Sequence, residues 1–249
     1  MTRDPDEGVD TDGYLVTGAA LDRIPPPYEP VIADCVATLG AYPELDGLYL
    51  YGSVSTGQAR PPHSDLDLLA LWTSTVDVSG VVAELSTRHS AVVREIGLAQ
   101  ATVDSLAGEA DRCFLKHYCV PLAGRDRRPD LPRCRPSRAL ADGFNDDLAA
   151  VVRTLRSSVD NAPTPAARIG AVRKAARRLL LATATIESVS HATWSTDRGT
   201  GAALLTRHHP EWTDEVDRAR RWSTGSITTA AGLDDFLDTF AAWLLAVHR

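Results

Sequence analysis

The chain of 249 residues has a globular composition, with 44% hydrophobic, 24% charged and 6% aromatic residues, which excludes wholesale disorder, collagen and coiled coil. It contains no run of about 18 apolar residues, so no transmembrane helix is predicted. The first residues lack the basic and apolar segments of a signal peptide, and a cytoplasmic protein is therefore expected. The net charge of −7 argues against a general nucleic-acid binder.

Residues 1–27 start with several acidic side chains and end in three consecutive prolines, which predicts an arm laid on the surface or a loose tail. After this segment, apolar residues at helical spacing predict a helix over residues 28–39. The patterns that follow predict strands at residues 48–51, 66–72 and 91–98. They also predict a helix at residues 78–89, between the second and third strands. Residues 28–135 are accordingly predicted to form a domain that contains both strands and helices.

A charged stretch with four prolines at residues 121–137 marks a predicted boundary, after which the patterns are helical. The predicted helices cover residues 140–159, 165–189, 199–208, 211–222 and 233–248. Thr164, followed by Pro165, and Asp197 are residues of the kind that begin helices. Residues 136–249 are therefore predicted to be a helical domain.

Basic residues concentrate between Asp111 and Arg138, where eight bases accompany three acids. Such a segment suits either a site for a polyanion, such as a triphosphate, or a solvated basic loop. The seven histidines show no ligand spacing, and no two cysteines have CxxC spacing. In a cytosolic chain these cysteines are predicted to be reduced and mostly buried: Cys35, Cys113, Cys119 and Cys134.

The most informative pattern is a strand that ends in Gly52-Ser53, followed a dozen residues later by a strand that begins with Asp65 and Asp67. Residues two apart in a strand point to the same side, so the two carboxylates project together. Such a pair suits Mg²⁺, which prefers oxygen ligands and often bridges to phosphate. Gly52 permits close approach of a ligand to the backbone, and Ser53 offers a hydroxyl and an amide to phosphate oxygens. The alternative is a pair of turn residues, but Asp67 lies in an apolar run, where an unpaired carboxylate is costly.

The segment LYGSVSTGQARPPHSDLDLL, residues 50–69, resembles the nucleotidyltransferase superfamily that includes DNA polymerase beta. It is especially similar to the first motif of the two-domain aminoglycoside adenylyltransferases, which modify streptomycin- and spectinomycin-type drugs, and it shares the serine, Ser64, before the first aspartate. The resemblance implies an α+β fold, with a small mixed sheet and flanking helices followed by a C-terminal α-helical bundle. It also implies ATP as co-substrate, two Mg²⁺ ions at Asp65 and Asp67, and nucleotide contacts from Gly52, Ser53 and Ser64.

The family has a third carboxylate on the next strand, and Glu95 in VVREIGL is the best match. By resemblance, Glu95 completes the metal site or accepts the proton of the acceptor hydroxyl. Two features depart from the family pattern: Arg94 stands where an apolar residue is usual, and the gap from Asp67 is shorter. Asp104 is the alternative third carboxylate. In the purely structural interpretation, Glu95 pairs with Arg94 or another surface base.

The helical half resembles the family more loosely. The segment that begins at Asp197 and Arg198 is similar to one in which a lysine before a helix contacts the nucleotide phosphates, and Arg198 takes that place here. The family also has a phosphate-binding arginine on the preceding helix, for which Arg177 is the prediction and Lys174 and Arg178 are the neighbours. A solvated helix face accounts for these bases equally well.

The acidic residues of the helical half have two readings. Either they are expected to line a pocket for a polycationic drug, or they belong to solvated helix faces. These residues are Asp146, Asp147, Glu187, Asp214, Glu215 and Asp217.

The predicted function is Mg²⁺-dependent transfer of AMP from ATP to a hydroxyl of a small molecule, with an aminoglycoside as the leading acceptor, as in antibiotic resistance. One alternative is the same chemistry on a protein, an RNA or another metabolite. A second alternative is an antitoxin-like nucleotide-binding module with little turnover, against which the helical second domain and the intact Gly-Ser and aspartate motif argue. The sequence leaves the acceptor hydroxyl, the preference for ATP and the oligomeric state open.

Overall fold

The computed structural model of the protein describes residues 4–145, 148–224 and 232–247. The chain divides into two compact units, Met1–Arg135 and Pro136–Arg249. Within the described ranges, no helix combines the length and the apolar character needed to cross a membrane.

The first unit is built on a four-stranded mixed sheet. Its strands are β3 (Leu45–Tyr51), β4 (Leu66–Trp72), β5 (Ile96–Thr102) and β6 (Val120–Gly124). They lie in the order β5-β4-β3-β6. The pairs β3–β4 and β3–β6 are antiparallel, whereas β4 and β5 are parallel, so β4 and β5 begin at the same edge of the sheet.

Each face of the sheet packs on helices because successive side chains of a strand point to opposite faces. The helices are α1 (Glu29–Leu39), α2 (Ser79–Arg88) and α3 (Glu109–Tyr118). One face, with Leu66 and Leu68, packs in a core that includes residues of α1 and α2. The other face, with Leu69 and Leu71, packs on Leu115 of α3. Asp67 is in phase with Leu69, so its side chain belongs to the α3 face.

The described part of the arm, residues 4–27, lies against the rest of the first unit. It forms a short hairpin of β1 (Gly8–Val9) and β2 (Leu15–Val16). The Leu15 side chain is buried, and its amide donates a 2.9 Å hydrogen bond to the carbonyl of Cys134. The Arg133 and Arg135 guanidinium groups lie over the Tyr14 ring, at 4.3 and 4.1 Å from its centroid. Residues 4–27 are therefore an ordered arm and not a loose tail.

The predicted helices and strands of this unit are found with shifted bounds. The third strand begins at Ile96 and not at residue 91, because the amides of Val92 and Val93 donate to the His89 carbonyl in a turn that follows α2. Helix α3 was not predicted, and most of β6 falls within residues 121–137, where a linker was predicted. Strand β6 contains Pro121, which lacks an amide hydrogen, and an edge strand such as β6 tolerates this residue.

The second unit is helical. Its elements are α4 (Arg138–Asn145), α5 (Leu148–Asp160), α6 (Pro165–Ser190), α7 (Arg198–His208), α8 (Thr213–Thr224), α9 (Leu233–Phe236), a π-helical turn (Leu237–Ala241) and α10 (Ala242–Val247). Helix α6 packs against α4, α5, α7 and α8. Thr164 and Asp197 cap α6 and α7 as predicted, since their side chains accept hydrogen bonds from the amides of Ala167 and Thr200.

The predicted helix over residues 140–159 corresponds to α4 and α5, and residues 146 and 147 between them lie outside the described residues. The predicted helix over residues 233–248 corresponds to α9, the π-helical turn and α10, and residue 248 also lies outside the described residues.

Candidate active site

Two glycines surround the carboxylate of Asp67. Gly52 follows the end of β3 with a φ of +77°, in the left-handed region that favours glycine. A Cβ atom on Gly52 would lie 2.5 Å from Oδ2 of Asp67, and one on Gly97 would lie 3.4 Å from Oδ1. Gly97 is the register partner of Asp67 on β5. Gly97 was not among the predicted site residues, although it lies only two positions after Glu95 in the sequence.

The Asp67 carboxylate is partly buried and acidic groups surround it. Burial raises its pKa to about 6; the Asp65 and Glu95 carboxylates add to this effect, and Arg94 opposes it. Among the described residues, no hydrogen bond or ion pair satisfies this carboxylate. A partly buried carboxylate without a partner favours a bound cation, which would stabilise its charged form.

Asp65 lies directly before β4 and pairs with Arg94. The Arg94 Nε donates a 2.8 Å hydrogen bond to Oδ1 of Asp65, and Nη2 donates to Oδ2, so the pair is bidentate. Arg94 is thus the base beside Asp65 and forms no ion pair with Glu95 among the described residues. The interpretation in which Glu95 pairs with Arg94 is therefore wrong. The Arg94 side chain is 66% exposed, so solvent screens this pair.

Glu95 lies at the same edge of the sheet as the two aspartates. Ile96 pairs with Leu66 and Gly97 pairs with Asp67, so strand alternation places Glu95 on the side of Asp65 and Asp67. Its carbonyl accepts a 2.9 Å hydrogen bond from the Leu66 amide, and its side chain is exposed.

Asp104 lies in the short 3-10 turn after the far end of β5. With seven residues in β5, at about 3.3 Å each, this turn is about 20 Å from the edge that holds Asp67. Of the two candidates for the third carboxylate, only Glu95 is near the aspartate pair.

A cavity of about 340 Å³ opens beside Glu95, between α2 and β5. Its lining includes Ser79, Ser86 and Gly97. This volume is at the lower end of the range for small-molecule sites.

The two predicted serines lie in the loop between β3 and β4. The Ser53 carbonyl accepts a 2.8 Å hydrogen bond from the Gln58 amide, and its hydroxyl bonds to none of the described residues. Ser64 accepts a 2.9 Å hydrogen bond from the Arg60 amide at its Oγ, and its carbonyl accepts one from the Arg94 amide. Ser64 therefore joins the loop to the segment that holds Arg94 and Glu95, and the Ser53 hydroxyl is available to a ligand.

In the second unit, the structure brings Arg177 and Arg198 together. Arg198 begins α7, where burial lowers the pKa of its guanidinium; the neighbouring Arg177 lowers it further, and Asp197 opposes the shift. Arg177 donates from Nε to the Ser223 carbonyl at 2.8 Å. No carboxylate within the described ranges pairs with either arginine. The Arg198 guanidinium at the N-terminus of α7, with that of Arg177 near it, favours an anion. Arg178, the alternative, instead donates to the Asn145 carbonyl.

In the basic segment between residues 111 and 138, carboxylates neutralise much of the positive charge, which leaves less of it for a polyanion. The ion pairs are Arg125–Asp130, Arg127–Asp46, Arg128–Asp126, Arg133–Asp10 and Arg138–Asp142. The Lys116 ammonium donates to the Arg128 carbonyl. These contacts hold the segment to itself and to its neighbours.

The acidic residues of the helical half have different surroundings. Asp214 and Asp217 are exposed. Glu187 is buried within α6, with carboxylate oxygens 3.5 Å from Nε2 of His191 and 3.7 Å from Nε2 of His209. Asp146 and Asp147 lie outside the described residues. Glu187 is thus a buried residue with histidine neighbours and does not belong to a solvated helix face.

No family model matches the chain, and no curated protein matches it by sequence. The structure, however, is similar to the crystal structure of the spectinomycin adenyltransferase AAD(9) from Enterococcus faecialis with ATP and spectinomycin. The TM-score is 0.54 at 11% sequence identity, over 88% of this chain and 97% of that chain. This similarity confirms the predicted fold class, a small mixed sheet with flanking helices followed by a helical unit. It also agrees with the family resemblance of residues 50–69.

Proposed function

We propose that the protein is a nucleotidyltransferase that moves AMP from ATP to a hydroxyl group of a small molecule. The observation that supports this most strongly is the unpaired, partly buried Asp67 carboxylate between Gly52 and Gly97, with Asp65 and Glu95 at the same sheet edge. The shared fold adds support, because the similar structure is an adenyltransferase crystallised with ATP and spectinomycin.

The carboxylates fit Mg²⁺. Burial raises the pKa of Asp67, and a bound hard cation would stabilise the charged form of this carboxylate. Asp65, Asp67 and Glu95 do not form a closed cage, and Mg²⁺ needs none, since it commonly binds one or two carboxylates together with substrate phosphates and water. When bound, two Mg²⁺ ions would neutralise phosphate charge and lower the pKa of a coordinated hydroxyl. Asp65 becomes fully available only when Arg94 releases it.

The residues have distinct roles in the proposed reaction. The acceptor oxygen attacks the α-phosphorus of ATP, the bond from that phosphorus to the bridging oxygen breaks, and pyrophosphate leaves. Glu95 accepts the proton of the acceptor hydroxyl. The amides at Gly52 and Ser53 and the Ser53 and Ser64 hydroxyls bind phosphate oxygens. For Arg177 and Arg198, the family resemblance of the helical half implies contacts to nucleotide phosphates. Catalysis is then mainly positioning and electrostatic stabilisation.

The proposed acceptor is an aminoglycoside. Such drugs are polycations, and the net charge of −7 attracts them. Spectinomycin, which AAD(9) holds in its crystal structure, is the first acceptor to test. A cytoplasmic location stays a prediction from the sequence.

The test is transfer of label from α-labelled ATP to spectinomycin, streptomycin and a panel of further aminoglycosides, with Mg²⁺ and with chelator. The variants are Asp67→Asn and Asp65→Asn, and the matched control is Asp104→Asn, an exposed aspartate at the other end of β5. We expect AMP on a drug, loss of transfer in the first two variants and no loss in the control. Label on a protein or an RNA would keep the chemistry and replace the acceptor. ATP binding without transfer to any acceptor would contradict the proposal and favour a binding module.

A further inference from the structure

The first unit contains a cluster of two cysteine sulfurs and an imidazole, and its residues are not part of the candidate active site. Cys113 and His117 are four residues apart on α3, so they share one face of that helix. Cys134 comes from the segment after the 3-10 turn Arg128–Asp130. The two sulfurs and an imidazole nitrogen all lie within 4.8 Å of one another. Cys113 is fully buried, and Cys134 is 8% exposed.

This set of donors is that of a zinc site. Zinc prefers thiolate sulfur and imidazole nitrogen in tetrahedral geometry, and Cys and His are its usual protein ligands. Two sulfurs that each lie about 2.3 Å from a tetrahedral zinc ion are about 3.8 Å apart. The three donor atoms therefore need only a small contraction to surround an ion. Among the described residues, no other histidine, cysteine or carboxylate group of three or more lies this close together.

The imidazole of His117 is prepared for such a role. The Cys134 amide donates a 3.0 Å hydrogen bond to Nε2 of His117. A ring nitrogen that accepts a hydrogen bond is unprotonated, so its lone pair can bind a metal ion in place of the hydrogen. On metal binding, the ion would take the place of the amide hydrogen at this nitrogen.

We propose that Cys113, His117 and Cys134 bind a Zn²⁺ ion that fastens the N-terminal arm to the rest of the first unit. The fourth position is left to water or to Glu109, which lies one turn before Cys113 on the same face of α3. This inference goes beyond the proposed adenylyl transfer and does not depend on it.

The arm makes hydrogen bonds to two of the three ligand residues. The Thr17 hydroxyl donates to the carbonyl of His117, and the Leu15 amide donates to the carbonyl of Cys134. An ion that joins α3 to the segment of Cys134 would hold both acceptors in place. Because such an ion binds the folded state, it also raises the stability of this unit.

The first measurement is the zinc content of the full chain, purified without chelator, by mass spectrometry of the metal. We expect about one zinc per chain in the wild type and its loss in Cys113→Ser and His117→Ala. Cys119→Ser is the matched control, because Cys119 is an equally buried cysteine that packs against Leu115 outside the cluster and should leave the zinc content unchanged.

A second measurement needs no substitution in the buried cluster. The wild-type protein, stripped of metal, reduced and reloaded with Co²⁺, should show thiolate charge-transfer absorption and the intense visible bands of a tetrahedral site. Metal removal should also speed hydrogen exchange of residues 8–17. Neither readout uses transfer of AMP, so each is independent of the proposed function.

Two results would overturn the proposal. One is reduced, folded protein that holds no zinc and gives no cobalt spectrum. The other is protein that lacks metal as purified and in which peptide mapping finds a disulfide between Cys113 and Cys134, because a disulfide leaves no thiolate to bind an ion.

Discussion

A graded series of glycine-to-alanine substitutions tests the geometry around Asp67. In Gly52→Ala, the new Cβ would lie 2.5 Å from the Asp67 carboxylate, about 0.9 Å inside ordinary van der Waals contact at about 3.4 Å. The φ of +77° adds about 1–2 kcal/mol of backbone strain for a residue with a Cβ. A shift of about 1 Å in a reacting group can cost about 10²-fold in rate, so we expect kcat to fall by about that factor.

The other two glycine variants of the series provide activities with which that of Gly52→Ala is compared. In Gly97→Ala, the Cβ would lie 3.4 Å from Asp67, an ordinary contact, so the expected loss of activity is much smaller. Gly80 lies in α2, and a Cβ added there would have nothing within 4 Å, so Gly80→Ala should keep full activity and stabilise the protein by about 0.5–1 kcal/mol.

The assay is kcat for transfer from ATP, alongside thermal unfolding of each variant. The expected order of activity is Gly80→Ala above Gly97→Ala above Gly52→Ala. Full activity in a folded Gly52→Ala variant would refute the assignment of Asp67 to the reacting centre, because its carboxylate cannot keep its position beside a methyl group.

Three further predictions concern charge and packing. Burial raises the pKa of Asp67 to about 6, so in metal-free protein its ionisation opposes folding; this cost is absent below about pH 3.8, grows as the pH rises, and is complete above about pH 6. Asp67→Asn should therefore slow hydrogen exchange of β4 at pH 7.5, which corresponds to an increase of up to about 3 kcal/mol in the free energy of opening. Near pH 4 the variant and the wild type should exchange alike. Equal exchange at pH 7.5 would contradict this. Arg94→Ala should lower the Mg²⁺ concentration for half-maximal activity by up to about fivefold, since the exposed Arg94 no longer competes for Asp65; an unchanged titration would argue against metal binding there. Gly201→Ala would place a Cβ 2.6 Å from the α6 backbone and should lower the free energy of unfolding by about 1–3 kcal/mol, measured by thermal unfolding. Gly170→Ala, with open space around the new Cβ, should not destabilise the protein. Equal stabilities of the two variants would refute the close packing of α6 on α7.

The sequence by itself determined the features that depend on neighbours along the chain. Helix periodicity and the caps at Thr164 and Asp197 predicted α6 and α7, because capping is a bond between residues three apart. The strand alternation of Asp65 and Asp67 and the turn at Gly52 were likewise visible, because a two-residue repeat and a glycine turn are local properties. These features predicted a domain of strands and helices followed by a helical domain, whereas the small mixed sheet was predicted from the family resemblance.

Only the tertiary structure decided which distant residues meet. Gly97 is thirty positions from Asp67, and the parallel pairing of β4 with β5 brings them together. That pairing also selects Glu95 over Asp104, since both acids flank the same strand and only its starting edge holds the aspartates. Strand β6 was missed because it is recognisable only by its pairing with β3. Such contacts depend on the register of strands that are far apart in sequence, and no local pattern specifies that register.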